Sequence, residues 1–216
     1  MPATITHMAL AGIIAAALLG EAYTRKGVAI VMIAVILPDL DSFLAWWIPW
    51  AHRSIGHTLV IPALFAIALW YDVRIRETSF VKERWGHWGI RVAWVSIFCV
   101  VFAHILLDMV TGVVNPLWPI HDQFYTIDGK IELSNKQGII QTFIDLGSGG
   151  SDSGGFGSTG EVALSTGVEP DPGGVEEDPE RIFPVARSGT ELLILTVGTF
   201  VTWARFKVSH ELPDDD

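Results

Sequence analysis

The sequence holds a single cysteine, Cys99, inside an apolar stretch. An intrachain disulfide is excluded, and so is a metal site built on thiolates. Any bound metal would have to be held by histidine and carboxylate. Lysine is also scarce: 5 of the 14 basic residues, against 24 acidic ones, for a net charge of −10. No basic patch is available to neutralise phosphates, so nucleic acid is not an expected partner. No Lys or Arg precedes Arg25. A cleaved secretory signal, which starts with a basic region, is therefore not expected. The acidic excess suits a protein from a salt-rich cell, though one acidic loop would account for it equally.

What the sequence does have is apolar residues, 50% of the total, gathered in five blocks at about 5–23, 28–37, 57–71, 92–114 and 191–206. Pro38 with Asp39 and Asp41 should stop or bend the second block. The aromatic run Trp46, Trp47 and Trp50 that follows suits a membrane–water interface. These blocks predict an all-α, multi-pass transmembrane bundle of about five helices; the alternative is a soluble bundle with unusually apolar helices. With the N-terminus outside, the short inner segments hold Arg25, Lys26, Arg74, Arg76, Lys82, Arg84, Arg91, Arg205 and Lys207, 9 of the 14 basic residues. The outer stretch 112–188 holds 12 acidic residues. Positive loops inside predict an outer N-terminus and a cytoplasmic C-terminus.

Residues 147–180 are rich in Gly, Ser, Pro, Asp and Glu. Such a segment buries too little apolar area to offset its ordering entropy. The expected organisation is a helix-bundle core over 1–146, a disordered acidic insertion over 147–185, and a last helix of the same domain over 186–210.

Seven histidines are present: His7, His52, His57, His87, His104, His121 and His210. His104 and Asp108, four apart on one helix face, could grip one ion; a hydrogen bond stapling two helices reads equally well for the pair alone. Depth favours the ion. Counted from the basic residue at each inner edge, His104 and Asp108 lie about 20 and 26 Å along the helix, Asp39 and Asp41 about 20 and 23 Å, His57 about 26 Å and His7 about 27 Å. Four helices thus deliver His or Asp to one layer about 7 Å thick. His52 and His121 lie on the same side, His52 as a possible further ligand and His121 in an interfacial role or as an extra ligand. His87 lies on the inner side and His210 in the tail; neither is expected to take part. Arg53 could bind an anionic substrate or lipid phosphate.

His7, then Leu37-Pro38-Asp39-Leu40-Asp41, His52-Arg53 with His57-Thr58, His104-x-x-x-Asp108 with Thr111, and Pro116-Leu117-Trp118-Pro119 occur in that order. The ordered set resembles the YdjM-like family of membrane-bound, predicted metal-dependent hydrolases. It covers about residues 1–125 and, through the last helix, the overall layout. The family is similar in ligand pattern to zinc-dependent phospholipase C and the single-strand nucleases. The resemblance implies hydrolysis, of a phosphoester among the candidates, with His7, Asp39, His57, His104 and Asp108 as ligands. The second helical His-x-x-x-Glu/Asp pair of the soluble enzymes is missing, so one or two ions are expected, zinc first. The Gly-rich insertion departs from the family pattern.

The leading expectation is a membrane metallohydrolase. Asp39 or Asp41 would bridge ions or act as general base, and Arg53 would steady a phosphate. Membrane lipid would be the partner, and a phospholipid-like head group the substrate. The alternatives are a membrane protein with a purely structural metal and an ion or solute transporter.

Overall fold

The computed structural model describes residues 3–127, 129, 131–141, 157–162, 164–171, 174 and 176–211. Among them the chain forms five helices and one small hairpin. They are α1 (Thr4–Leu18), α2 (Arg25–Leu44), α3 (Val60–Arg74), α4 (Phe80–Thr111) and α5 (Gly189–Glu211). Strands β1 (Ile131–Ser134) and β2 (Gly138–Gln141) pair antiparallel.

α2, α4 and α5 are long and apolar enough to cross a membrane, with mean hydropathies of 2.0, 2.2 and 1.3. α1 and α3 have 15 residues each. Large apolar side chains point outward: Leu64, Phe65, Leu193 and Phe200 are each 61–64% exposed. In water this would be a severe liability; lipid is a solvent in which it costs nothing. The core between α1, α2 and α4 is instead small, built from Ala11, Ala15, Val31, Val35, Val95, Cys99 and Ala103. Small side chains let helix backbones approach where lipid supplies no hydrophobic drive. The closest approach joins α1 to α5. A Cβ on Gly198 would strike the Ala9 carbonyl, and one on Gly12 would strike the Thr202 hydroxyl.

Three departures from regular helix position the chemistry. α2 opens with Thr24, whose hydroxyl accepts from Gly27 N at 3.0 Å. At Pro38 it tightens into a 3₁₀ turn over Leu37–Leu40 before a last turn, Asp41–Leu44. The second apolar block is thus longer than its hydropathy suggested. α4 starts at Phe80, ahead of the fourth block, because charged Lys82, Arg84 and Arg91 interrupt the apolar pattern without breaking the helix. It bends at Gly86, where φ is 63°. It then widens into a π-helical stretch over Val100–Ile105 before its last turn, Leu106–Thr111.

Residues 142–156, which contain most of the Gly/Ser-rich run, lie outside the described residues. Described residues from 157 to 188 form neither helix nor strand. They touch the bundle where Phe124 N donates to Gly157 O (2.9 Å), the Thr159 hydroxyl to Asp122 (2.7 Å), and Trp46 Nε1 to Val168 O (3.2 Å).

Candidate metal centre

The first turn of α1, the Pro38 turn of α2, the approach to α3 and the π-helical end of α4 meet at one end of the bundle. There His7, His57, His104 and Asp108 have no exposed surface. The Asp39 side chain is 13% exposed, the only rim of the cluster.

Hydrogen bonds fix the tautomers that the neutral rings adopt. His7 Nδ1 lies 2.8 Å from the Ala103 carbonyl, which can only accept, so Nδ1 carries the proton and Nε2 a bare lone pair. The π-helical stretch leaves that carbonyl available. His57 Nδ1 lies 2.9 Å from Asp41 Oδ2 and donates to it, which bares His57 Nε2. His57 Nε2 hydrogen-bonds to His104 Nε2 at 3.0 Å and lies 2.9 Å from Asp108 Oδ2. His7 Nε2, Asp39 Oδ1 and Asp108 Oδ2 are buried without a hydrogen-bond partner. Lone pairs and anionic oxygens so packed require shared positive charge.

A divalent cation fits that requirement by distance as well as by charge. Ligands about 2.0–2.1 Å from zinc in a tetrahedron stand roughly 3.3 Å from one another. Among His57 Nε2, His104 Nε2, Asp39 Oδ1 and Asp108 Oδ2, five edges measure 2.9, 3.0, 3.5, 3.8 and 3.9 Å. These four residues could hold one metal ion. His7 stands beside them, its ring stacked on His104 at 4.1 Å and its Nε2 3.4 Å from Asp108 Oδ1.

Asp41 lies one layer out. Its Oδ1 pairs with His52 Nδ1 at 2.8 Å, and its Oδ2 receives His57 Nδ1, Arg53 N and Gly56 N. With both oxygens engaged it is built to aim His57, and His52 lies behind it. Arg53 is 3% exposed and braces the cluster. Its Nη2 reaches Asp108 Oδ1 at 3.1 Å and its Nη1 the Val113 carbonyl at 2.9 Å. Its backbone adopts φ 63°, a strained value for a side-chain-bearing residue, clasped by Asp41 on its amide and Asn115 N on its carbonyl. Gly112 makes room for this arginine, since a Cβ there would strike Nη1.

Not every expected residue converges. His121 is exposed and bonds to the Tyr125 hydroxyl at 2.8 Å, away from the cluster, because the turn after Pro116 carries it outward. His87 lies in the first part of α4; the His210 side chain lies outside what is described. Two contributors had no sequence signal. Thr4 donates to Asp39 Oδ2 at 2.7 Å, leaving Oδ1 to face the cluster, and the Ala103 carbonyl sets the tautomer of His7. The Pro116–Pro119 motif acts structurally: Thr58 donates to the Trp118 carbonyl at 2.6 Å, fixing the approach to α3.

No curated protein and no solved structure matches this sequence. The sequence profile of the YdjM inner membrane protein matches residues 1–163, a span that contains every residue of the cluster. A bundle of apolar spanning helices and that match together make this chain a member of the YdjM inner membrane protein family.

Proposed function

We propose that the chain is a membrane-bound, metal-dependent hydrolase acting on a phosphoester, with one or two divalent ions, zinc first among candidates. The observation that carries this reading is the set of unpartnered ligand atoms around His57 and His104, with Asp39 at its rim. His57, His104, Asp39 and Asp108 would hold the ion, with His7 completing the set. When bound, the ion would supply Lewis acidity and lower the pKa of a water to around 7. Asp39, at the rim of the cluster, would hold the ion through Oδ1, the atom that faces His57 and His104. Thr4 keeps that carboxylate from rotating by holding Oδ2. Asp41 orients His57 and raises its basicity, the usual work of a carboxylate behind a metal-binding histidine. Arg53 holds Asp108 in place, and its buried Nε, without a hydrogen-bond partner of its own, would be free to donate to an anionic oxygen.

The full burial of His57, His104 and Asp108 favours a second reading, in which the metal staples the helices. Mass spectrometry of the purified protein should find stoichiometric metal, lost in His104→Ala and Asp108→Ala. Metal-free wild type would sink both readings. Metal without turnover of any phosphodiester would leave the structural one.

The distribution of basic residues supports a metal site and N-terminus on the outer face, with the C-terminus in the cytoplasm. In a Cys99→Ser background, a cysteine placed at Ser151 should label from outside; labelling from the cytoplasm would reverse the orientation.

A further inference from the structure

α3 packs chiefly on α4 and stands off from α2. Between the three helices runs a groove of about 960 Å³. Its walls are apolar and lined with small residues, Ala34 of α2, Ala68 of α3 and Ala93 of α4. It runs along α4 from Phe80 to Val100, about 30 Å of helix. At one end it meets Pro38 and Gly56. Gly56 also touches Asp41, and Asp39 follows Pro38 directly.

The groove has one unexplained polar atom. Ser96 lines it, is 9% exposed, and its hydroxyl has no partner. A serine in the middle of a helix ordinarily returns its proton to a carbonyl one turn back. Ser96 makes no such bond, and its hydroxyl is buried in the wall of the groove. It lies four residues, about 6 Å, from the Val100 end and about 24 Å from the Phe80 end. The charges at the Phe80 end are already paired, since Asp72 binds Arg76, Ser79 and the amides of Phe80 and Val81. Among the described residues, the other buried polar atoms without a hydrogen-bond partner belong to Thr6, Arg53 and the cluster, none of them near the Phe80 end.

We propose that the groove takes the hydrocarbon chain of a membrane lipid whose polar head lies at the His/Asp cluster. A membrane supplies such chains, and because two leaflets share a hydrocarbon core of roughly 30 Å, one chain fills the half of the groove nearer the cluster. The proposal names the substrate class of the hydrolase reading and rests on that reading only for the fate of the head.

The test uses the full-length protein in phosphatidylcholine vesicles with a trace of photoactivatable phosphatidylglycerol. One probe carries the diazirine at the chain end and another carries it beside the glycerol. The chain-end probe should label the middle of the groove, near Leu69 and Ala93, and the glycerol-side probe the Pro38–Gly56 end. Ala34→Trp and Ala93→Trp fill the groove and should cut labelling about tenfold. Ile33→Trp, on the 60% exposed outer side of α2, should leave it unchanged. Bound metal in each variant serves as the check on folding. Undiminished labelling in both filled variants with metal retained would overturn the proposal, as would labelling in the opposite polarity. In a parallel assay, wild type should show a lower KM for a hexadecyl than for a methyl 4-nitrophenyl phosphodiester, and Ala93→Trp should lose that difference. If neither ester turns over while the groove variants still abolish labelling, the lipid site stands and the hydrolase reading falls.

Discussion

The two ends of the bundle each bury acidic groups, and they treat them differently. At the end near the α3–α4 connection, Asp72 is 8% exposed and its two oxygens accept from Arg76, Ser79 and two backbone amides. The carboxylate closes one helix and opens the next, and its bonds are complete within the chain. At the other end Asp39 and Asp108 each leave an oxygen without a partner, and His7 leaves a nitrogen. Burial alone does not separate the two ends. What separates them is whether the chain satisfies its own polar atoms: a satisfied carboxylate is architecture, and a set of unsatisfied ones that converge is a binding site.

That contrast can be broken or sharpened by substitution. The largest effect should come from His104→Ala or Asp108→Ala. Each should reduce bound metal from near stoichiometric to under about a tenth, because a site built on deprotonated ligands tolerates few losses. Chelator should lower the Tm of wild type and leave these variants unmoved, with ion at a thousandfold excess over Kd contributing about 4 kcal/mol. Equal metal in wild type and Asp108→Ala would erase the distinction between the ends. Next comes Asp41→Asn, which keeps its shape and loses its charge behind His57. Metal affinity, measured by competition with a chromophoric chelator, should weaken about 10- to 100-fold. Asp72→Ala should do the reverse, with metal content intact and a lower Tm in thermal unfolding.

The smallest effect belongs to Asp122, outside the spans. Burial pushes its pKa up, but hydrogen bonds from Thr159 and Asn115 outweigh that and hold it below the usual carboxylate range. A depressed folded pKa means the tie to the 157–161 segment is complete above an unfolded value of about 3.9 and fades as pH falls through the folded one. Asp122→Asn at neutral pH should give a modest rise in subtilisin cleavage within 157–171 and no change in bound metal. Unchanged cleavage would mean that this tie does not hold the segment.

Much of this was legible in the sequence. Five apolar blocks gave five helices, because hydropathy tracks burial in lipid directly. Counting residues from the basic edges placed His7, Asp39, His57, His104 and Asp108 in one layer, and the structure brings them together. The assumption of unbroken helices was the weak step, since α2 tightens after Pro38 and α4 widens at Val100. Both changes fall at the layer itself, and both alter which way a side chain faces without altering the count. The partners of Asp41 and Arg53 were not legible, because they depend on the fold of residues 45–59, where no periodicity speaks. Thr4 and the Ala103 carbonyl were invisible for a related reason: neither residue type advertises a role in a metal site.

The close crossing of α1 and α5 at Gly12 and Gly198 has a consequence in time. The two residues are 186 positions apart, so a ribosome working at roughly 5–20 residues per second reaches Gly198 about 10–40 seconds after Gly12. Throughout that interval one face of the helix that carries His7 lacks its partner. The helix that carries Gly198 lies outside the matched span, yet it is the one that seats the first. The packing of that helix is therefore completed late, only once Gly198 has been made.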